Sequence, residues 1–337
     1  MQISRLNEYI EGDKNYLFTG EGDLKYLLGK AYIEGVELLV KSSVIKILAD
    51  KRLSGTIRDN IGDGYEIFDS RNEEIMKSVF SGIDNLIVNG YELSMRRETD
   101  LLNLGVENVV GQNSIINEMR AIKQTEEIEL LRQSQQTNLK AFELVSKNIK
   151  LGITEAEIAR LIKIKHLELG ADGESFEPIV AFRENGANPH NINSSVRKLT
   201  SKDQILIDMG CVYAGYCSDM TRVIFMDDVS QIQKDLYEMV KKVTYDCMEY
   251  GKVGMKFTQM QEKAVELLGE YSETFWHGLS HSVGVEIHEA PSSRDKEATI
   301  QVGNVFSIEP GIYLEKKFGF RYEIMVVATP EGLIELK

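Results

Sequence analysis

The sequence predicts two domains of mixed α and β structure, an α/β domain over residues 1–115 and an α+β domain over residues 120–337. The first observation behind this prediction is length, because 337 residues exceed what one ordinary hydrophobic core accommodates. The second is a change of pattern. Short apolar segments alternate with amphipathic ones in the first part, whereas long helical periodicities and paired apolar strands follow the predicted boundary at 113–124.

In the first domain, six short segments that are apolar and rich in β-branched residues predict strands. They cover residues 15–19, 36–40, 43–48, 65–69, 85–88 and 106–110. Amphipathic segments at 72–80 and 94–104 predict helices between strands. This alternation is typical of an α/β domain built on a single sheet.

In the second domain, helical periodicity first appears over residues 125–148. Later helices are marked by capping residues, which satisfy the unpaired N–H groups of a helix start, and by glycine at helix ends. In chain order these signals are the capping-box pair Thr154 and Glu157, Gly170 as a helix end, Ser230 and Gly251 around a third helix, and the capping-box pair Thr258 and Gln261.

The second domain also carries an internal duplication. Gly152 and Gly254 each precede a capped helix, and the segments 205–225 and 305–328 each predict a β-hairpin. Each half therefore consists of two helices followed by a hairpin. A repeat of about 100 residues is too long for a solenoid, whose periods are roughly 20–50 residues, and predicts a pseudo-two-fold domain.

Composition excludes several classes of partner and location. The net charge is −14 and no cluster of Lys and Arg stands out, so neither nucleic acid nor an anionic membrane is expected as a partner. No apolar run reaches the roughly 18–20 residues that span a bilayer, and the N-terminus has no signal-peptide core. The chain has three cysteines, Cys211, Cys217 and Cys247, and a small odd number argues against a disulfide framework. Unpaired cysteines are typical of a reducing compartment, so a cytoplasmic protein is expected.

The first hairpin contains two acidic residues within apolar strands. A turn at Tyr213 and Ala214 would place Asp208 directly opposite Asp219, with the two Cβ atoms about 5 Å apart. Two ionised carboxylates at that distance repel each other, and charge in an apolar strand is costly without a partner. A cation between them would remove both penalties.

The second hairpin repeats this feature. Glu309 ends one apolar strand and Glu323 lies in the next, so a turn over residues 315–317 would again bring two carboxylates face to face. His281, in a segment where three histidines are interleaved with glycines, would add an imidazole. Four carboxylates and one imidazole suit a pair of divalent ions, Mn²⁺, Co²⁺ or Zn²⁺, and ligand type alone does not choose among these three. His166 lies apart in a helical segment, and we interpret it as structural.

The order of these motifs resembles the pita-bread metallopeptidases, a family that includes aminopeptidase P, prolidase, methionine aminopeptidase and creatinase. The matching motifs are Asp208, Asp219, HGLSH at 277–281, EPGIY at 309–313 and FRYE at 320–323. The resemblance covers essentially the whole chain, with residues 1–115 similar to the creatinase/prolidase N-terminal domain. It implies a pita-bread catalytic domain that hydrolyses the peptide bond preceding proline, either as an Xaa-Pro aminopeptidase or as an Xaa-Pro dipeptidase.

The resemblance also implies a role for each metal-binding position. Asp208 would chelate one ion, His281 and Glu309 would bind the other, and Asp219 and Glu323 would bridge both. Two metal ions bound in this way activate a water molecule, and Glu309 would accept the proton of that water.

Five further residues match positions that contact substrate or support the ligands. His190 would face the substrate, His288 would contact the scissile carbonyl or its oxyanion, and His277 would lie at the proline-side pocket. Tyr313 and Arg321 would contact substrate or hold a ligand in place. Members of the family are commonly homodimers, so a homodimer is expected.

Three positions depart from the family pattern. Ile324 follows Glu323 where most relatives have an acidic residue, which predicts a changed metal affinity. Ser292 stands where dipeptide-specific prolidases place an arginine after proline, with Arg294 two residues further on. Ser280 makes the HGLSH motif closer to that of aminopeptidase P, which favours longer Xaa-Pro peptides.

Three alternatives to an Xaa-Pro peptidase remain. Two are other enzymes of the family, and the third belongs to a different functional class. Methionine aminopeptidase usually lacks an N-terminal domain like residues 1–115, and creatinase lacks the metal ligands that are present here. The alternative of a different class is a non-catalytic peptide-binding or protein-binding member of the fold. Metal content measured together with turnover separates that alternative from an enzyme.

Overall fold

The computed structural model describes residues 2–29 and 32–337, so residues 1, 30 and 31 of the predicted first domain lie outside it. The chain divides into two compact units, Met1–Arg120 and Ala121–Lys337. Within the described ranges, no helix combines the length and apolarity that crossing a membrane requires.

The first unit is an α/β domain built on one sheet of six strands. Its elements are β1 Asn15–Phe18, α1 Glu21–Leu28, β2 Glu37–Lys41, β3 Val44–Ala49, α2 Ser54–Ile61, β4 Glu66–Asp69, α3 Glu73–Phe80, β5 Asn85–Asn89, α4 Met95–Asn103, β6 Asn108–Gln112 and α5 Ile116–Ala121. The strand order is β4-β3-β2-β1-β5-β6, with β1, β5 and β6 parallel and β2 antiparallel to both of its neighbours.

The predicted strands of this unit are confirmed, with one shift of two residues. The last strand begins at Asn108, whereas the sequence predicted a strand over 106–110. Val106 is buried and its N–H donates to the carbonyl of Leu101, so it closes the end of α4 and cannot start the strand.

The second unit contains four helices and thirteen short strands among its described residues. In chain order these are α6 Thr125–Ser146, α7 Glu155–Glu168, β7 Gly173–Glu174, β8 Ile179–Phe182, β9 Gln204–Met209, β10 Cys211–Tyr213, β11 Tyr216–Cys217, β12 Met220–Phe225, α8 Gln231–Tyr250, α9 Phe257–Leu268, β13 His281–Ser282, β14 Glu289–Ser292, β15 Val305–Ile308, β16 Gly311–Leu314, β17 Phe318–Arg321, β18 Ile324–Thr329 and β19 Gly332–Glu335. The principal sheets have the orders β12-β9-β8 and β14-β13-β15-β18-β19.

The predicted duplication is visible in matching backbone contacts of the two halves. The Gly152 N–H donates to the carbonyl of Leu199 at 2.9 Å, and the Gly254 N–H donates to the carbonyl of Ile300 at 2.8 Å. Both glycines have positive φ, 85° and 88°, a conformation that a residue with a Cβ adopts only with strain. Each half then contributes two helices and a hairpin, as the sequence predicted.

Of the two predicted capping boxes, one is confirmed and one is wrong, and Ser230 caps α8 as predicted. Thr154 and Glu157 form the predicted capping box at the start of α7. The second predicted box, Thr258 with Gln261, does not form, because α9 already begins at Phe257. Lys256 is the extended residue before that helix, so Thr258 lies inside the first turn.

Apolar contacts between helices and hairpins form the core of the second unit. The rings of Phe257 on α9 and Phe306 on β15 meet edge to face with centroids 5.0 Å apart, and both are fully buried. Tyr237 on α8 packs against Phe320 on β17 in the same cluster. Burial of aromatic side chains of this size contributes a large share of core stability, so these contacts fix the hairpins against the helices.

Candidate metal centre

The turn of the first hairpin lies one residue later than the sequence predicted. Tyr213 pairs with Tyr216, so the two central turn residues are Ala214 and Gly215 and not Tyr213 and Ala214. Both central residues have positive φ, 49° and 85°, as two-residue hairpin turns of the favoured hand require. Glycine at the second position meets this requirement and sets the register.

The shifted turn changes the partners of the acidic residues. Asp208 on β9 pairs with Thr221 on β12, so the predicted direct pairing of Asp208 with Asp219 is wrong. Asp219 lies two residues before Thr221, just outside the ladder. Because a shift of two residues keeps a side chain on the same face, both carboxylates still point to one side of the hairpin.

The second hairpin has the predicted register. Leu314 pairs with Phe318 around a turn over residues 315–317, and Ile308 pairs with Ile324 on the far side of a break in the ladder. The same register continued through the break sets Glu309 opposite Glu323. Thus the second pair of carboxylates is face to face where the first pair is diagonal.

His281 joins the two hairpins. Its Nε2 lies 3.5 Å from Oδ2 of Asp219 and 3.4 Å from Oε1 of Glu309. Its Nδ1 lies 3.2 Å from the carbonyl oxygen of Ser282, which can only accept a hydrogen bond, so the proton resides on Nδ1. Burial lowers the pKa of His281 to about 4, and the neutral ring directs the lone pair of Nε2 toward the carboxylates.

The donor set fits divalent cations. Ligand atoms of Asp219, His281 and Glu323 all lie within 4.8 Å of one another. Among the described residues, Oδ1 of Asp208 and Oε1 of Glu323 are buried without a hydrogen-bond partner, and buried carboxylate oxygens are seldom left so. Metal ions would satisfy these oxygens and offset the crowding of negative charge.

The pKa values of the carboxyl groups report the same crowding. Burial, followed by the charge of Glu323, raises the pKa of Asp219 and that of Glu309 well above the usual range. Burial, followed by the charge of Asp208, raises the pKa of Glu323 to about 7. Burial also raises the pKa of Asp208, with Arg321 opposing the rise. A bound cation would favour the ionised form of every one of these groups.

Arg321 is the buried counter-charge of the site. Its guanidinium donates to Oδ2 of Asp208, to the Tyr313 hydroxyl at 2.8 Å and to Oγ1 of Thr221 at 2.8 Å. Thr221 in turn donates to Oε2 of Glu323 at 2.8 Å. One arginine therefore orients one carboxylate from each hairpin. Thr221 was not predicted as a site residue, although it shares a strand face with Asp219.

His277 and Tyr313 extend this network. His277 Nδ1 lies 2.9 Å from the Gly278 carbonyl oxygen, so Nδ1 donates and Nε2 accepts from the Tyr313 hydroxyl at 2.7 Å. The indole of Trp276 stacks on the Tyr313 ring with centroids 5.7 Å apart. Burial lowers the pKa of His277 to about 3, so the ring is neutral and its two nitrogens are both engaged.

His190 and His288 face the open part of the site. Both are exposed, and both line the cavity of about 1070 Å³ that also contains the carboxylates and His281. The His288 ring meets the His281 ring edge to face at 4.4 Å. Although the residue is exposed, partial desolvation of its ring lowers the pKa of His288, so it is neutral at pH 7. All ten predicted site residues except Tyr313 line this one cavity, and Tyr313 lies directly behind it.

Comparison with known proteins gives the family. The model of metallopeptidase family M24 matches residues 129–330. The Xaa-Pro dipeptidase of Pyrococcus furiosus is 34% identical over 223 residues, 65% of this chain and 64% of that protein. The solved structure of an Xaa-Pro dipeptidase from Bacillus anthracis has a TM-score of 0.92 and 26% identity, covering 99% of this chain and 96% of its own.

A second solved structure shows the same likeness over the whole fold. The prolidase from Pyrococcus furiosus has a TM-score of 0.90 and 26% identity, with 99% of this chain and 98% of that chain covered. The predicted pita-bread domain with a preceding α/β domain is therefore confirmed. On its sequence, its fold and its Asp, His and Glu cluster, the chain belongs to metallopeptidase family M24.

Proposed function

We propose that this chain is an Xaa-Pro peptidase that hydrolyses the peptide bond preceding proline with two divalent metal ions, Mn²⁺ first and Co²⁺ or Zn²⁺ as alternatives. The observation that carries the proposal is the convergence of four carboxylates and the Nε2 of His281 on one cavity. The Xaa-Pro dipeptidases and the prolidase among the relatives support the choice of substrate.

The proposal assigns the metal ligands as the sequence predicted them: Asp208, Asp219, His281, Glu309 and Glu323. When bound, such ions lower the pKa of a water molecule and polarise the scissile carbonyl. The protein contributes a fixed arrangement of ligands, because Arg321 and Thr221 hold Asp208 and Glu323 by hydrogen bonds.

Glu309 is the proposed proton acceptor. Its side chain lines the cavity, and Oε1 lies 3.4 Å from His281 Nε2. Bound cations would favour the ionised form of Glu309, and a carboxylate in this position can accept a proton from the attacking water. We propose that Glu309 later delivers this proton to the leaving imino nitrogen of proline.

The histidines at the cavity wall position the peptide. His288 presents a neutral ring beside His281, where its N–H can donate to the developing oxyanion. His190 is exposed within the same cavity and is the proposed contact for the substrate backbone. His277 has both nitrogens engaged, so we assign it to the wall of the proline pocket, with Tyr313 and Arg321 behind it.

The structure shows what surrounds the positions that depart from the family pattern. Ile324 is fully buried in the apolar core, so no acidic side chain supports Glu323 from that position. Thr221 instead holds the Glu323 carboxylate. Ser292 and Arg294 line the cavity of about 1070 Å³. We propose peptides longer than a dipeptide as substrates because serine, and not arginine, stands at position 292 and because Ser280 is typical of aminopeptidase P.

A comparison of two substrates tests the proposal. Metal-stripped protein is loaded with Mn²⁺, Co²⁺ or Zn²⁺, and proline release from an Xaa-Pro dipeptide is measured beside cleavage of an Xaa-Pro-Xaa tripeptide, with Asp219→Ala as control. We expect metal-dependent cleavage that the substitution abolishes, and the ratio of rates then decides dipeptidase against aminopeptidase. Bound metal without cleavage of either peptide would contradict the proposal and point to a different amide substrate. A protein that neither binds metal nor cleaves either peptide would favour the non-catalytic binding protein.

The proposal includes a cytoplasmic homodimer. The three cysteines are buried and unpaired, which suits a reducing compartment, and the dimer is proposed from the family resemblance. Light scattering coupled to size-exclusion chromatography tests the oligomeric state. A mass near the monomer value of 38.1 kDa would contradict the dimer.

A further inference from the structure

The buried face of α6 is polar where it crosses the first hairpin. Its two ends are apolar, with Leu131 and Val145 in the core. Between them lie two buried amide side chains, Gln135, which is 1% exposed, and Asn138, which is 0% exposed. Burying an amide costs a few kcal/mol unless it is hydrogen bonded, so a helix face that needs only to pack would carry apolar residues here.

Both amides donate to the backbone of the strands that carry the acidic residues. Nε2 of Gln135 donates to the carbonyl of Asp219 at 3.1 Å. Nδ2 of Asn138 donates to the carbonyl of Met209, the residue after Asp208, at 2.8 Å. The regular ladder ends at the pair of Met209 with Met220, so Asp219 lies where the hairpin lacks its regular support.

A hydrogen bond from His166 fixes the orientation of the Asn138 side-chain amide. Since its Nδ2 faces a carbonyl, its Oδ1 accepts from Nε2 of His166 at 3.0 Å. The other nitrogen of His166 lies 2.9 and 3.0 Å from the two oxygens of Glu174. Glu174 and Asn138 therefore hold the His166 ring from its two sides. Glu174 on β7 pairs with Cys211, which returns the network to the hairpin.

We propose that Gln135 and Asn138, the latter oriented by His166, are positioning residues that hold the backbone at Asp219 and Asp208 in the geometry that metal binding requires. The inference rests on the proposed metal centre. It gives His166 a role beyond packing, since the ring sets which way the Asn138 amide points. Groups that orient metal ligands typically change metal affinity by about 10–100-fold when they are removed.

The substitution Gln135→Met isolates one of these hydrogen bonds. Methionine has nearly the same shape and removes the donor to Asp219. Among the described residues, Oε1 of Gln135 has no partner, so no second hydrogen bond is lost. The matched control is Gln136→Met, because Nε2 of Gln136 also donates to a backbone carbonyl, that of Lys337 at 3.0 Å, on the exposed side of the same helix.

The readouts are Mn²⁺ affinity by isothermal titration calorimetry, the electron paramagnetic resonance spectrum of bound Mn²⁺ and the melting temperature of the metal-free protein. We expect Gln135→Met to weaken Mn²⁺ binding about 10–100-fold and to alter the spectrum, while its metal-free melting temperature stays close to that of Gln136→Met. Wild-type affinity and an unaltered spectrum in Gln135→Met would overturn the inference. So would a metal-free melting temperature that falls far enough to account for the weaker binding.

Asn138→Asp provides a second test if Gln135→Met does not fold. Aspartate keeps the acceptor for His166 but removes the donor to Met209, and we expect the same loss of Mn²⁺ affinity; unchanged affinity would contradict the inference. Metal binding is measured without turnover. A protein that binds Mn²⁺ as expected but cleaves no Xaa-Pro peptide would therefore contradict the proposed function alone.

Discussion

Nε2 of His281 lies 3.5 Å from Oδ2 of Asp219, and the proton of the ring is held on the opposite nitrogen by the Ser282 carbonyl. The distance is too long for a good hydrogen bond and close to that between two ligands of one ion, since each ligand bond is about 2.0–2.2 Å. The pair is therefore arranged for a shared cation.

Metal binding should release protons. Burial raises the pKa of Glu323 to about 7 and that of Asp219 well above its usual range, so the metal-free site is partly protonated near neutral pH. Because cations bind the ionised carboxylates, affinity for Mn²⁺ should fall as the pH drops below about 7. Calorimetric titrations in two buffers of different ionisation enthalpy measure this release. Identical heats in both buffers would contradict it.

Asp219→Asn should stabilise the metal-free protein and abolish stabilisation by metal. A carboxyl whose pKa is raised on folding costs stability at pH values above its unfolded pKa, because the unfolded chain releases a proton that the folded chain retains. The neutral amide removes this cost at pH 7. Wild-type protein should gain about 2.7 kcal/mol at a metal concentration 100 times Kd, whereas the variant gains little.

Melting curves without Mn²⁺ test whether Asp219→Asn stabilises the metal-free protein, and melting curves with Mn²⁺ test whether it abolishes stabilisation by metal. Gln136→Met serves as the control that should melt like wild type under both conditions. A metal-free Asp219→Asn protein that melts below wild type would show that the carboxylates are not under electrostatic strain.

Arg321→Met should destabilise the protein strongly. The substitution leaves the buried Asp208 without its counter-charge and Thr221 without a donor, and removing one partner of a buried ion pair costs about 3–5 kcal/mol. Urea denaturation measures the free energy of unfolding. The control is Lys140→Met, which breaks an exposed ion pair with Glu143 and should change stability very little. Equal effects of the two substitutions would refute the role of Arg321.

The cysteines should be inert in the folded protein. Burial raises the pKa of Cys217 and that of Cys247 to about 12 and also raises the pKa of Cys211, so all three are neutral thiols at pH 8. Only the thiolate reacts rapidly with a disulfide reagent such as Ellman's reagent. We expect negligible reaction of native protein and reaction of three thiols per chain in guanidinium chloride. Rapid labelling of a native thiol would contradict the burial.

The sequence sufficed to predict which residues the fold brings to one cavity, because their chemistry is local and their order is specific. Asp208, in an apolar strand, signals an unusual environment without any knowledge of the fold. The register of the first hairpin was missed because the turn depends on two consecutive residues with positive φ, Ala214 and Gly215, and the sequence offers an equally plausible turn one residue earlier.

Other features depend on tertiary contacts that no pattern reveals. His166 lies within a segment that the sequence predicts to be helical. Only the fold brings Glu174 and Asn138 to its two ring nitrogens. Thr221 could have been found, since it shares a strand face with Asp219. Gln135 could not, because a glutamine on a helix is ordinarily exposed, and its burial depends on where the hairpin crosses.

Activity measured against the amount of bound Mn²⁺ tests the central claim most directly. Metal-stripped protein is titrated with Mn²⁺, and hydrolysis of an Xaa-Pro-Xaa peptide is compared with hydrolysis of the matched Xaa-Ala-Xaa peptide. The account predicts activity that rises until about two ions are bound per chain, restricted to the proline peptide and absent from Asp219→Ala. A protein that holds two ions and leaves the proline peptide intact, or that cleaves both peptides equally, would contradict it.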